Sequence, residues 1–289
     1  MKNNNIENAY NEFSSRVTNI LYYKNIVQSH TTEIYNDLLK RKENFSKSTL
    51  PTEILSSHHS MRFTSPIDGE SITFGRMSVN IDESIKHTLY QKNKQYLWLL
   101  VEAYEYYEDF LEELYACVGY SNSELWPLSD FGKIYHSDLV GKDYSFYLDK
   151  ARSQKNTKEI LKYFRSKIPD LKNIERNNEN GTNFLYLVSL ISKLRHIIVH
   201  NGGVINDLGV IIDRIYSDAE LPKSENSYSD DIKFYFSPKN SAYHVEILEY
   251  RINNHFLQPY HDTCSALIEG LAAHAYLIHS KVTVFLKDK

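Results

Sequence analysis

The longest regular pattern of the chain lies between residues 81 and 118, IDESIKHTLYQKNKQYLWLLVEAYEYYEDFLEELYACV. Its apolar residues recur at three- and four-residue steps, which is typical of one face of an α-helix. The stripe consists of Leu97, Leu100, Tyr104, Tyr107, Leu111, Leu114 and Val118. A stripe of this length predicts a long helix with one buried face. It is the strongest indication that the fold is mainly α.

Related spacing predicts helices over residues 7–42 (one or two helices), 156–168 and 182–200. Residues 245–283 are expected to be largely helical, with Pro259 either kinking one helix or starting a second. The chain has only 10 glycines and 7 prolines among 289 residues, which also favours long helices over a turn-rich β fold.

Short β elements are expected beside the helices. ITFGRMSV, residues 72–79, reads as a strand or extended piece. GVIIDRIY (209–216) and DIKFYFS (231–237) predict a β-hairpin or strand insert near 208–237. The expected organisation is an N-terminal segment over 1–80, helical and then irregular, followed by a helical bundle with this insert over 81–289. The two parts can also form one continuous domain.

Composition limits the classes of function. The net charge is −4, so a nucleic-acid contact would need a local basic patch. The two cysteines, Cys117 and Cys264, are far apart and suit a reducing compartment. No segment has the apolar length of a membrane span or a signal peptide, which predicts a cytoplasmic protein without a membrane partner.

The most compact basic face belongs to the helix predicted at 156–168. Lys158, Lys162 and Arg165 share one arc of that helix. The arc is interpreted either as an ordinary solvated face or as a surface that follows RNA phosphates.

Arginine and histidine combine in SKLRHIIVHNGG, residues 192–203. On a helical wheel His196 and His200 are neighbours on the polar face, whereas Arg195 lies at the edge of the apolar stripe, about 140° from His200. The pair Gly202 and Gly203 is typical of a helix end. On this pattern alone, a solvated helix terminus closed by glycine is the favoured interpretation.

These side chains also suit chemistry on a phosphodiester. Arginine presents planar donors to phosphate oxygens, and histidine exchanges protons near neutral pH. Together they fit metal-free RNA cleavage, in which the ribose 2′-hydroxyl attacks and a cyclic 2′,3′-phosphate and a 5′-hydroxyl result.

The segment RHIIVH resembles the R-polar-x-x-x-H motif of HEPN domains, matching at Arg195, His196 and His200. The resemblance covers roughly residues 82–203 and extends to the helix predicted at the C-terminal end. It implies a helical bundle that dimerises into a composite site and acts as a metal-independent endoribonuclease, as in toxin–antitoxin or antiphage defence systems. Arg195 and His200 would be catalytic, with His196 assisting and Asn201 supporting. RNA, a second copy and an antitoxin or defence protein are the implied partners, and no cofactor is expected. The alternative is a non-catalytic HEPN module that binds RNA, a nucleotide or a protein.

Glu108 lies at the edge of the apolar stripe of the long helix, where a lone carboxylate needs a partner. One possibility is that Glu108 supports Arg195 by pairing with the guanidinium. The alternatives are that it bonds a tyrosine hydroxyl or extends into water. The neighbouring acids of the same helix, Glu105 among them, are predicted to be solvated.

Two further classes of function are considered. His255, His261 and Cys264 are possible metal ligands of a metal-dependent hydrolase, although no complete zinc pattern accompanies them. His274 and His279 lie among apolar residues and are predicted to be core or interface histidines. A purely structural interaction protein is the other alternative.

Overall fold

The computed structural model describes residues 2–47, 57–127, 134–222, 224, 226–252 and 260–287. These residues are mainly helical and carry three small antiparallel sheets, which confirms the predicted class. The chain divides into two compact units, one formed by Met1–Tyr22 and Tyr96–Lys289 and the other by Tyr23–Gln95. The predicted division at residue 80 stays a prediction. No helix in the described ranges is long and apolar enough to cross a membrane.

The helices are α1 (Lys2–Ser46), α2 (Ile81–Ser121), α3 (His136–Leu139), α4 (Tyr144–Gln154), α5 (Thr157–Lys167), α6 (Leu171–Arg176), α7 (Phe184–Asn201), α8 (Leu208–Asp218), α9 (Ser227–Phe234) and α10 (Thr263–Lys287). The strands are β1 (Ser57–Thr64), β2 (Ser71–Val79), β3 (Val204–Ile205), β4 (Phe236–Lys239), β5 (Ala242–Val245), β6 (Glu249–Arg251) and β7 (Tyr260–Asp262). They pair as β1–β2, as β3–β5–β4 and as β6–β7.

The core of the larger unit forms around α2, α7 and α10. Every residue of the predicted α2 stripe is buried, from Leu97 to Val118. Helix α7 buries Ile191, Leu194 and Ile198, again as its spacing predicts. Helix α10 approaches α7 closely at Gly270, where an added Cβ atom would lie 2.4 Å from Leu187 Cδ2. A larger residue at this position would therefore force the Leu187 side chain to move.

The unit Tyr23–Gln95 contains the β1–β2 hairpin, which confirms the strand predicted at 72–79. Gly75 has a φ of 63° at the point where the register shifts, as a bulged strand requires. Across the hairpin Phe63 pairs with Ile72 and Met61 with Phe74, so one apolar face results. These four side chains are all exposed.

The β insert predicted at 208–237 is wrong in position. Residues 208–218 form α8 and residues 227–234 form α9, whereas strands occupy 204–205, 236–239 and 242–245. Asp207 caps α8 by accepting a hydrogen bond from the Val210 N–H at 3.2 Å. The buried residues Leu208, Ile211 and Ile215 follow a helical spacing, which outweighs the strand preference of the β-branched run.

The helix predicted from residue 245 is wrong over its first part. Residues 249–251 and 260–262 pair as an antiparallel ladder, with Glu249 opposite Asp262, and the helix begins at Thr263. Asp262 accepts hydrogen bonds from the Ser265 N–H and hydroxyl, both at 3.0 Å, and so marks that start. Pro259, predicted either to kink one helix or to start a second, and His255 lie outside the described residues.

A buried polar network joins four helices of the larger unit. Arg165 of α5 donates through Nε and Nη2 to the two carboxylate oxygens of Glu175 on α6, at 2.6 and 2.9 Å. Glu175 also accepts from Nε2 of His274 on α10 at 2.8 Å, and the His274 Nδ1 atom lies 2.6 Å from the Tyr107 hydroxyl of α2. Glu175, His274 and Tyr107 are fully buried, so His274 is a core histidine as predicted.

The network is consistent with an ionised Glu175. Burial raises the pKa of this carboxyl, but hydrogen bonds and charge from His274 and Arg165 outweigh it, so the pKa lies below its usual value. A bidentate guanidinium and a third donor satisfy a carboxylate well enough to keep it in the interior.

We expect Glu175→Gln to lower the free energy of unfolding by about 3–5 kcal/mol, because Arg165 would lose its buried counter-charge. Urea denaturation followed by circular dichroism measures the change. Glu179→Gln is the matched control, since Glu179 is exposed just beyond the same helix, and we expect it to stay within about 0.5 kcal/mol of the wild type.

The stabilities of the wild type and of Glu175→Gln are expected to depend differently on pH. A carboxyl whose pKa is lowered on folding contributes its full stability above the unfolded value of about 4.3 and loses it as the pH falls through the folded pKa. The wild type should therefore lose more stability than Glu175→Gln between about pH 5 and pH 3. Equal acid sensitivity in both proteins would contradict an ionised Glu175.

Candidate functional site

The Arg–His motif occupies the last two turns of α7. His196 and His200 are exposed, and their ring centroids are 4.6 Å apart at an interplanar angle of 49°. Arg195 is half-buried beside them. The predicted separation of the histidine face from the buried stripe is confirmed. The two imidazoles therefore form an exposed pair that a ligand can reach from solvent.

The acid that pairs with Arg195 is Glu105, not Glu108. Arg195 Nη2 donates to Glu105 Oε1 at 3.1 Å, whereas Glu108 Oε1 accepts from the Thr157 hydroxyl at 2.6 Å. The two acids are three residues apart on α2 and so differ by about 60° around the helix. That rotation aims Glu105, which was predicted to be solvated, at α7, and aims Glu108 at the start of α5.

The guanidinium of Arg195 is only partly satisfied by the protein. Its Nε atom is buried and has no hydrogen-bond partner among the residues that the structure describes. The ion pair with Glu105 is exposed, with 27% of the arginine side chain and 52% of the glutamate side chain accessible. Exposed ion pairs contribute about 0–1 kcal/mol, so a phosphate can compete with this one.

The end of α7 is closed by two left-handed glycines. Gly202 has a φ of 64° and Gly203 a φ of 83°, and the N–H groups of both return to the carbonyl of Ile197. The Gly203 carbonyl then accepts from the Val245 N–H at 2.9 Å, which connects the helix end to β5. Asn201 is exposed in the last helical position, and its predicted supporting role stays a prediction.

A cleft of about 600 Å³ opens beside His196, where α2, α5 and α7 meet the end of α8. Tyr104 and Glu108 of α2, Thr157 of α5 and Ser192 of α7 contribute to its lining. Burial, followed by the charge of Glu108, raises the pKa of Tyr104 to about 12, while hydrogen bonds with Ser192 and Thr157 act in the opposite direction. Tyr104 is therefore a neutral hydroxyl group at the junction of the three helices.

The three basic residues predicted on α5 have different surroundings. Lys158 lines the cleft and its Nζ atom lies 2.9 Å from Asp218 Oδ1. Lys162 is exposed and outside the cleft lining. Arg165 lines the cleft and donates two hydrogen bonds to Glu175, so it belongs to the core network, and its role as an RNA-backbone contact stays a prediction.

Sequence reasoning missed two charged residues of the cleft, Lys193 and Asp218. Lys193 Nζ lies 3.0 Å from Asp218 Oδ2, so two lysines share one aspartate. The spacing of Lys193, His196 and His200 (i, i+3, i+7) would have placed this lysine with the histidines. Nothing in the sequence brings Asp218 of α8 to them.

The surroundings of His196 disfavour its charged form. Partial burial lowers its pKa, and the nearby His200, Lys193, Arg195 and Arg214 lower it further. His196 is accordingly a neutral imidazole at a lower pH than an ordinary histidine, which suits a group that accepts a proton.

Among the described residues, no group of three or more His, Cys, Asp or Glu side chains is arranged to hold a metal ion. Of the candidate ligands, His255 falls outside those residues, and Cys264 is buried with its Sγ atom 3.9 Å from the Tyr96 carbonyl oxygen. Comparisons of the chain with models of known protein families, with curated proteins and with solved structures give no match.

The effect of His200 on the pKa of His196 is measurable. We expect the ring of His196 to titrate below the ordinary value of about 6.5, and His200→Ala to raise its pKa because one of the nearby positive charges is removed. The shift back is partial, since burial remains. NMR titration of the ring protons gives both values, and His87→Ala, at an exposed histidine, should leave them unchanged.

The C-terminal end of α7 depends on the left-handed backbone conformation of Gly202. An added Cβ atom at Gly202 meets nothing within 4 Å, so the cost of Gly202→Ala is the backbone conformation alone. We expect a loss of about 1–2 kcal/mol in urea denaturation, and a smaller loss for Gly202→Asn, because asparagine tolerates this conformation. Losses of equal size would contradict a backbone cause.

Proposed function

We propose that the protein is a metal-independent, HEPN-type endoribonuclease. The observation that carries the proposal is the exposed pair of imidazoles, His196 and His200, placed one turn apart beside Arg195. The three residues match the motif by which the sequence resembles HEPN domains, and their side chains supply both proton transfer and charge stabilisation for a phosphodiester.

The reaction follows from these groups. The 2′-oxygen of a ribose forms a bond to phosphorus while the bond from phosphorus to the 5′-oxygen breaks. A neutral histidine accepts the 2′-hydroxyl proton, and a protonated histidine returns one to the departing 5′-oxygen. The guanidinium of Arg195 stabilises the charge that develops on the phosphoryl oxygens. The products carry a 2′,3′-cyclic phosphate and a 5′-hydroxyl.

A second copy of the chain completes the site in this proposal. On an ideal helix Arg195 lies about 140° from His200, so one α7 does not aim both groups at a single phosphate. Two copies that face each other across the ends of α7 bring the arginine of one to the histidines of the other. Single-stranded or looped RNA is the substrate that fits, because its 2′-hydroxyl can align for attack. The biological role proposed is that of a toxin or antiphage effector in the cytoplasm.

A non-catalytic module that binds RNA or a nucleotide is the second candidate. It is favoured by the cleft beside His196, which is large enough for a small ligand whether or not a reaction occurs. In that case Arg195 stays paired with Glu105 and serves binding alone. The two candidates differ in whether RNA is broken.

RNA cleavage should depend on both the arginine and the second histidine of the motif. We expect Arg195→Ala and His200→Ala each to lower the rate of RNA cleavage by about 100-fold or more, with the circular dichroism spectrum unchanged. Arg195→Lys should recover little activity, because lysine lacks the planar fork. Rates are measured on labelled RNA with EDTA present, and the product ends are identified by mass spectrometry.

The matched controls are Arg62→Ala and His87→Ala, which remove the same side chains from exposed positions elsewhere. Both should cleave at the wild-type rate. The proposal fails if the wild type cleaves no RNA, if the Arg195 and His200 variants stay fully active, or if EDTA abolishes cleavage. RNA binding without cleavage would favour the second candidate.

A further inference from the structure

The cleft beside His196 has an arrangement of polar groups that the cleavage chemistry does not use. Glu108 lines the cleft, and so do the ion-paired residues Lys158, Lys193 and Asp218. Its volume of about 600 Å³ lies within the range of small-ligand sites. We propose that this cleft binds one unpaired guanine of the RNA substrate, and that Glu108 recognises the donor edge of the base. The assignment deepens the proposed ribonuclease function and rests on it.

The walls of the cleft suit the faces of a base. Leu161 of α5, Leu185 and Val188 of α7 and Tyr104 of α2 line the cleft. Each of them is largely buried, so a small part of their apolar surface faces a ligand. A heteroaromatic ring gains from contact with apolar and aromatic surface on its faces while its polar edges seek hydrogen bonds. A bare phosphate or a sugar would leave these apolar walls unused.

The carboxylate of Glu108 favours a base whose edge carries hydrogen-bond donors. Its Oε1 atom accepts a hydrogen bond from the Thr157 hydroxyl, and a carboxylate can only accept further hydrogen bonds. Guanine presents two adjacent donors, N1–H and the N2 amino group, which match the two oxygens of a carboxylate. Uracil has one N–H group between two carbonyls, and adenine and cytosine each place an acceptor nitrogen beside their amino group. Guanine is therefore the base that fits.

The charged residues of the cleft determine how a bound nucleotide is oriented. Lys158 and Lys193 share the single carboxylate of Asp218, so this group has a net positive charge. A phosphate is attracted by the two lysines and repelled by Glu108, so the base is expected toward Glu108 and the phosphate toward the lysines. His196 also lines the cleft and lies near Lys193 on α7. A guanine held in this orientation brings its own phosphate to the motif. The lysines also disfavour a basic peptide as the occupant.

Mononucleotides test the assignment without requiring cleavage. By calorimetric titration we expect 5′-GMP to bind the wild type roughly tenfold or more tightly than 5′-AMP, 5′-CMP or 5′-UMP. Inosine 5′-monophosphate keeps N1–H but lacks the N2 amino group, so it should bind several-fold more weakly than 5′-GMP. Glu108→Gln should remove both preferences, because the side-chain amide replaces one acceptor with a donor.

The matched control is Glu102→Gln, the same change at an exposed position of α2 outside the cleft lining. It should bind 5′-GMP as the wild type does. Thermal unfolding of both variants checks that the fold is retained. The inference is overturned if the four mononucleotides bind equally, if none binds, or if Glu108→Gln keeps the guanine preference.

Cleavage mapping separates this inference from the proposed function. If RNA is cut in an Arg195-dependent manner without enrichment of guanine at the cut sites, the ribonuclease stands and the guanine assignment fails. If 5′-GMP binds with the expected preference but no RNA is cut, the ribonuclease fails and the cleft is kept as a guanine-nucleotide site. Cuts beside guanine that lose this enrichment in Glu108→Gln support both.

Discussion

The buried carboxylate of Glu175 is the constraint on which the larger unit depends. A charge in the interior is tolerated only where donors surround it, and here the donors come from α5 and α10, with Tyr107 of α2 behind the histidine. These contacts connect α5 and α6 with α10 and, through the histidine, with α2. At the start of α5, Thr157 donates to Glu108 of α2 and Lys158 pairs with Asp218 of α8, so this end of α5 forms one side of the cleft.

Much of the fold could be predicted from the sequence, because apolar residues recur at helical spacing wherever a helix buries one face. Helices α1, α2, α5 and α7 were all predicted from that spacing. The predictions failed where local preference and burial disagree: β-branched residues at 210–212 suggested a strand in α8, and the apolar spacing after residue 245 suggested a helix in the segment that pairs as β6 and β7. Only long-range packing decides such cases.

Part of the candidate site could likewise be predicted from the sequence, and part could not. Arg195, His196 and His200 lie on one helix, so a linear motif was sufficient to find them. Glu105 was missed because which of two acids faces α7 depends on the rotation of α2, and a helical wheel of one segment cannot fix that. The cleft was missed because its lining comes from four helices that are distant in sequence.

The hydrogen bond from Val245 to the Gly203 carbonyl has a consequence for the histidine pair. Strand β5 is the middle strand of its sheet, with Val245 opposite Phe236 and His244 opposite Val204. A one-residue slip of β5 would exchange its two faces and leave Gly203 facing a different amide group. His200 lies three residues before Gly203, so its position along the α7 axis depends on the register of β5 as well as on the helix. The small sheet thereby helps to fix where α7 ends.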